Sequence, residues 1–250
     1  MDLLLQDKVT LVTGSARGLG LEMAGAFYRE GSKVVLFDID AKGLEESAGT
    51  LDPTGERVFA CQADLTDDDQ VKWAIKQIMT RFGQIDVLIN NAGILKGNPI
   101  EEMSVADFEL VLKVNLTGTF IMCKTVVPIM KKQGRGKIVN MASLAGRTGR
   151  PAAGLNYAAS KAGIIGLTRT LAREVGLDGI YVNAIAPGPI MTDIIKNMSP
   201  DVLEKLNFGR AVGREGMPKD VANVALFLAS GMSDWINGAV LDVNGGILMR

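Results

Sequence analysis

Tyr157 and Lys161 stand four residues apart in Asn156-Tyr-Ala-Ala-Ser-Lys161, and the pattern continues as helix through Ala-Gly-Ile-Ile-Gly-Leu-Thr168. Their side chains therefore share one helical face. That puts an ammonium beside a phenol. A free tyrosine titrates near ~10, but a fixed positive charge a few ångströms away favours the phenolate and lowers that value. Tyr157 thereby becomes a proton-transfer group. Ser143 follows the apolar run Lys137-Ile-Val-Asn-Met-Ala142 and would offer a hydroxyl to a substrate oxygen from the C-terminal tip of a strand. The three together read as a carbonyl/alcohol site.

The elements that must hold these groups alternate along the chain. Lys8–Thr13 is a β-branched run that ends at Gly14, and a helical pattern follows from Gly18 to a stop at Gly31. Lys33–Asp38 is a second strand, 42–50 a helix, Val58–Gln62 a third strand closing at Asp64, and Asp67–Phe82 a helix with an acidic first turn. Ile85–Asn90 is a fourth strand, and Ser104-Val-Ala-Asp107 caps a long helix to about Lys132. Gly136–Ala142 is a fifth strand. The Tyr157 helix extends to Val175, Ile180–Ala186 is a sixth strand, Asp220–Ser230 a helix and Ala239–Val243 a last strand. Runs this uniformly apolar, separated by helices, predict an α/β fold: a doubly wound, parallel, seven-stranded sheet with helices on both faces. Ligands bind such sheets beyond the C-terminal strand ends, where Asp38, Asp64, Asn90, Ser143 and Pro187 all fall. With no linker or internal repeat, residues 1–250 read as one domain.

Gly14-Ser15-Ala16-Arg17-Gly18-Leu19-Gly20 spaces its glycines as G-x-x-x-G-x-G between strand and helix. Glycine lets backbone approach phosphate, and the helix aims free N–H groups and its positive end at the anion. Dinucleotide binding follows. Asp38 can accept hydrogen bonds from both adenosine ribose hydroxyls and would repel a 2′-phosphate, which favours NAD. Arg17 pulls toward NADP, because an arginine there could pair with that phosphate.

Composition narrows the class. Of 250 residues 47% are hydrophobic, with 29 Gly and 8 Pro, enough for a large core. A net charge of −1 gives no footprint for nucleic acid or anionic lipid. There is no histidine, so proton transfer uses other groups and a histidine-ligated metal is excluded. Cys61 and Cys123 sit in apolar contexts and read as reduced core thiols of a cytoplasmic protein. No stretch reaches ~18 uninterrupted apolar residues, and the N-terminus lacks a signal pattern, so the chain reads as soluble and not exported.

Taken together, these residues resemble the short-chain dehydrogenase/reductase family in its single-domain branch. The resemblance spans essentially the whole chain and rests on Thr13-Gly14, Gly18, Gly20, Asp64, Asn90-Asn91-Ala92-Gly93, Asn115, Ser143, Tyr157, Lys161 and Pro187-Gly188 in family order. It implies hydride transfer between a nicotinamide and a secondary alcohol or ketone, and a homotetramer. Carried over position by position, Tyr157 is the general acid/base and Ser143 orients the substrate oxygen. Lys161 lowers the phenol and bonds the nicotinamide ribose, and Asn115 holds a water linking Lys161 to solvent. The dinucleotide contacts carried over are Gly14, Ser15, Arg17, Gly18, Leu19 and Gly20 in the loop, and Asp38 and Ile39 after the second strand. Asp64 and Leu65 follow the third strand and Asn91, Ala92 and Gly93 the fourth. Tyr157, Lys161, Pro187, Gly188, Ile190 and Thr192 complete the set.

Residues 189–216 correspond to the family's substrate lid, and Met191, Ile194, Ile195, Met198, Leu203 and Leu206 suggest an apolar substrate or an apolar stripe packed on the body. Leu171-Ala-Arg-Glu-Val175 and Asp242-Val-Asn-Gly-Gly246 are similar to 3-oxoacyl-carrier-protein reductases. Lys131, Lys132 and Arg173 could then meet an acidic carrier protein, although Asp38 departs from the NADPH preference usual there. A third alternative is a catalytically silent dinucleotide-binding scaffold.

Overall fold

The structure is a computed structural model that describes residues 3–149, 153–192, 195 and 199–249. Seven strands form one parallel sheet: β1 Val9–Thr13, β2 Lys33–Asp38, β3 Val58–Gln62, β4 Val87–Asn90, β5 Gly136–Met141, β6 Ile180–Pro187 and β7 Val240–Val243. Their spatial order is β3-β2-β1-β4-β5-β6-β7. The order reverses between β1 and β4. At that point the turns after the two strands touch, since a Cβ on Gly14 would stand 2.7 Å from Ala92 Cα.

The helices are α1 Gly18–Arg29, α2 Ala41–Leu51, α3 Asp68–Phe82, α4 Val105–Leu112, α5 Gly118–Gln133, α6 Leu144–Thr148, α7 Leu155–Val175, α8 Pro200–Asn207 and α9 Pro218–Ala229. Alternate strand residues supply two cores. Val12, Leu36 and Ile89 face Met23 and Phe27 of α1 and Ala225 of α9. Leu11, Val35 and Leu88 face Ile75 and Ile78 of α3 and Met122 and Val126 of α5. Each such side chain, fully removed from water, contributes about 1.5–3 kcal/mol.

Helix ends follow the sequence where a cap is present. Asp67 accepts from Asp69 and Gln70 N–H to start α3, Gly83 at φ 74° stops it, and Ser104 accepts from Asp107 N–H to start α4. Departures from the expected elements have local causes. β4 begins at Val87 rather than Ile85 because the buried Asp86 carboxylate, not the ladder, takes the Val9 N–H at 2.9 Å. The helix expected over 104–132 is interrupted by a π-helical turn, Lys113–Thr117. The run Val105–Gln133 is long and apolar enough by composition to cross a membrane, yet Val111 is buried and Met122, Val126 and Met130 pack into the core with the sheet. It is a core helix.

Candidate functional site

α1 differs from the next three helices in its first turn. Asp40, Asp67 and Ser104 cap α2, α3 and α4, whereas Arg17 at the start of α1 makes no side-chain cap bond. Its leading N–H groups therefore face the β1/β4 crevice, a ready seat for an anion. Gly14 and Gly18 have φ of 64° and 61°, which favour glycine. A Cβ on Gly20 would lie 2.1 Å from Gly14 O, so that position admits no side chain without moving the loop.

Several side chains expected at the dinucleotide hold this backbone. Ser15 Oγ donates to Val12 O and accepts from Phe37 N–H, fully buried. Asn91 Nδ2 donates to Thr13 O and Gly14 O, and the N–H groups of Asn91 and Ala92 donate to Thr13 Oγ1. Leu65 lies over α5, where Gly118 has no room for a side chain. Asp64 Oδ1 accepts from Thr66 N–H and caps its turn. Ser15, Asn91 and Leu65 thus have internal roles that residue type could not reveal, and Asp64 has the turn-capping role that its place at a strand end allowed. Asp38 carries both functions: its Oδ2 accepts from Ala16 N–H and its Oδ1 from Asp40 N–H, fixing the carboxylate at the β2 tip between the loop and exposed Ile39. Arg17 is exposed at the loop.

Across the reversal, the catalytic candidates meet in one cleft of about 270 Å³. Leu19, Asn91, Ser143, Tyr157, Lys161, Pro187, Gly188, Ile190 and Thr192 line it together with Leu95, Met141, Leu144, Ala153, Ile195, Val202 and Leu206. Ser143 sits two residues beyond β5 and caps α6, accepting from Ala145 N–H at 3.1 Å. Ser143 and Tyr157 line the same cleft, and the Ser143 side chain acts to lower the Tyr157 phenol. Sequence periodicity gave no hint of α6, which is a single turn. Gly146 lets that turn press on α7, for a Cβ there would lie 2.6 Å from the Lys161 carbonyl carbon.

Lys161 is buried, 4% exposed, with Nζ donating to Met141 O at 2.6 Å and lying 5.6 Å from the Tyr157 ring centroid. Burial pushes its amine down from 10.5 to about 8. The same desolvation pushes the Tyr157 phenol up, and the Ser143 side chain only partly opposes it. The lowering of the phenol by Lys161 expected from the sequence is not what the structure shows: burial raises it, and the Lys161 ammonium is aimed at the Met141 carbonyl.

Asn115 lies in the π-helical turn, fully buried. Its Oδ1 accepts from Ile94 N–H, and its Nδ2 donates to Ile94 O and Ser160 Oγ. From the π-helical turn it fastens the segment after Gly93 to α7. Gly93 stays bare because Asn115 Oδ1 and Lys161 Nζ would stand 3.1 and 3.5 Å from a Cβ there. Asn156 was missed by sequence reasoning. It is fully buried, accepts from Tyr157 N–H and donates to Lys96 O and Asp107 O, so it fixes the start of α7.

In the segment expected as a lid, an isolated bridge joins Ile190 to Gly216, and the aperiodic stretch contains α8. Ile195 and Leu206 reach the cleft, Met191 and Leu203 are half-buried outside its lining, and Ile194 and Met198 lie outside the described residues. The basic trio is displaced from the site. Lys131 and Lys132 end α5 just before β5 begins, Arg173 ends α7 just before β6 begins, and both ends lie at the N-terminal edge of the sheet. Lys131 is also paired with Asp178 at 2.8 Å. Those three residues cannot border the cleft mouth.

Residues 14–248 match the family described as Enoyl-(Acyl carrier protein) reductase. The chain is 39% identical over 245 residues to the 3-oxoacyl-[acyl-carrier-protein] reductase FabG of Thermotoga maritima, covering 98% of this chain and 99% of that protein. To the protein of the same description from Aquifex aeolicus it is 39% identical over 248 residues, covering 99% and 100%. A solved putative gluconate dehydrogenase from Agrobacterium tumefaciens superimposes with a TM-score of 0.94 at 31% identity, covering 100% of this chain and 99% of the other. Levodione reductase does so with a TM-score of 0.90 at 36% identity, covering 96% and 97%. For the 3-oxoacyl-[acyl-carrier protein] reductase of Brucella melitensis the TM-score is 0.93 at 35% identity, covering 99% and 94%.

Proposed function

The chain belongs to the short-chain dehydrogenase/reductase family and is an oxidoreductase of CH–OH and ketone groups that binds a nicotinamide dinucleotide; from that premise we propose an NAD(H)-dependent secondary alcohol dehydrogenase/ketone reductase. The observation that carries it is that Ser143, Tyr157 and Lys161 line one otherwise largely apolar cleft. The uncapped start of α1 and the glycines at 14, 18 and 20 fit the pyrophosphate, and Asp38 at the β2 tip fits the unphosphorylated ribose of NAD. When bound, the nicotinamide supplies or accepts the hydride.

The protein's part is a proton and a field. Burial keeps Tyr157 protonated at neutral pH, so it is ready to give its proton to a carbonyl oxygen as reduction proceeds. Ser143 Oγ orients and polarises that oxygen. Lys161, charged below its lowered value of about 8, favours the phenolate left behind. In oxidation the same groups run in reverse. Asn115 and Asn156 hold the frame.

We extend the reading to a single catalytic domain over 1–250 with 189–216 as lid, supported by Ile195, Val202 and Leu206 lining the cleft. It extends also to a cytoplasmic setting, supported by the unpaired buried thiols of Cys61 and Cys123, and to a homotetramer, supported by fully exposed Leu177 and Trp235, apolar surface that association would cover. A second reading, reduction of 3-oxoacyl groups on an acyl-carrier protein, is favoured by the 39% identity to relatives so described. Purified protein with NADH or NADPH, set against simple ketones, hydroxysteroids, sugars and acetoacetyl-carrier protein at 340 nm, separates the two. NADH-dependent ketone reduction is expected; acetoacetyl-carrier protein preferred by orders of magnitude in kcat/KM would move the assignment to the second reading, and no turnover of any substrate would sink both.

A further inference from the structure

Beneath the site, three polar side chains cross the apolar face between β4, β5 and α7. Asn90 Nδ2 donates to Asn140 Oδ1 at 2.8 Å, Asn140 Nδ2 to Thr168 Oγ1 at 3.0 Å, and Thr168 Oγ1 to Ile164 O at 2.8 Å. Asn90 Nδ2 also reaches Cys123 Sγ on α5 at 3.3 Å. All three residues are buried, at 3%, 0% and 0% exposure, and Asn90 Oδ1 is left without a partner among the described residues. An apolar trio would avoid that orphan. Burying unmatched polar groups is costly, so direction rather than stability is what this arrangement provides.

Each member lies just behind a working part. Asn90 precedes Asn91-Ala92-Gly93, the turn against the glycine loop. Asn140 precedes Met141, whose carbonyl takes the Lys161 ammonium, and it stands three residues before Ser143. Thr168 is seven residues after Lys161 and eleven after Tyr157, on the same face of α7. α7 is thus tied to β5 twice, at Asn140–Thr168 and at Met141–Lys161, about 10 Å apart along the helix. Apolar packing has no preferred direction and tolerates sliding, whereas a 3.0 Å hydrogen bond does not. We propose that Asn140, through Asn90 and Thr168, is a positioning residue that sets the axial register of α7 against β5 and so holds Tyr157 and Lys161 in line with Ser143 and the dinucleotide turn. The inference rests on the catalytic reading of Tyr157.

The test is Thr168→Val, nearly the same shape without the hydroxyl, assayed on any substrate the wild type turns over, with Tyr157→Phe beside it. Misalignment on the scale of an ångström predicts a kcat reduced about 10- to 100-fold, with dinucleotide Kd within about twofold of wild type and kcat restored by Thr168→Ser. Asn140→Leu should show the same split; if that variant does not fold, Thr168→Val decides alone. A kcat within twofold of wild type, a Kd that worsens in step with kcat, or no rescue by serine would overturn the proposal. Retained turnover in Tyr157→Phe would instead remove the catalytic reading, so the two failures are distinguishable.

Discussion

The two halves of the sheet's C-terminal edge work by opposite means. After β1, β2 and β4, side chains turn inward: Ser15, Thr13, Asn91 and part of Asp38 bond backbone. What remains facing the crevice is largely main chain and the bare start of α1. After β5 and along α7 the relation inverts, and Ser143 and Tyr157 present their own hydroxyls to the cleft. A dinucleotide phosphate needs many weak donors fixed in space, which backbone supplies. A single proton transfer needs one group of tuned acidity, which only a side chain supplies. The first half should therefore be sensitive to added atoms, and the second to lost ones.

The largest effect tests the second half. Tyr157→Phe should lower kcat by about 10²- to 10⁴-fold, the range of general acid–base catalysis, with dinucleotide Kd unchanged by fluorescence titration. Turnover near wild type would erase the distinction between the halves. Next comes the first half: Gly20→Ala places a Cβ against Gly14 O and Asn91 Nδ2. Overpacking of this kind costs about 1–3 kcal/mol, so dinucleotide Kd should rise roughly 5- to 150-fold. An unchanged Kd would show that the loop does not seat the pyrophosphate.

Asp38→Ser sharpens the contrast, because this is a first-half side chain expected to read the ligand directly. The NADH to NADPH ratio of kcat/KM should fall about tenfold or more, the loss of roughly one charge-assisted hydrogen bond. A constant ratio leaves Asp38 as a loop brace only.

The smallest effect concerns pH. Lys161 titrates near 8 folded against 10.5 unfolded, so between those values the unfolded chain binds the extra proton and stability rises with pH. Denaturant titrations should show the stability of wild type increasing relative to Lys161→Met from pH 8 to 10, by up to about 1.4 kcal/mol per pH unit. Parallel curves would mean that the buried amine keeps its ordinary acidity.

Much of this was legible along the chain because it depends on short-range spacing. The strand-turn-helix at Gly14–Gly20, the Asp67 and Ser104 caps and the four-residue step from Tyr157 to Lys161 each lie within a turn or two of backbone. Less legible were features that depend on partners far away in sequence. The π turn at Lys113–Thr117 carries Asn115, whose partner Ile94 lies twenty-one residues earlier. Lys131, Lys132 and Arg173 look like one basic surface in the sequence, but they end helices at the edge away from the cleft.

The order of residue types by itself determined the parallel α/β sheet, the glycine loop and the shared helical face of Tyr157 and Lys161, because backbone sterics and helical period act locally. Tertiary structure alone decided which polar groups stay available. Ser15, Asn91 and Asn115 are as polar as Ser143, yet folding spends their hydrogen bonds on remote backbone and leaves the Ser143 hydroxyl facing Tyr157. It also decided the acidity of Tyr157 and Lys161, since desolvation is set by everything packed around a group and not by its neighbours in the chain.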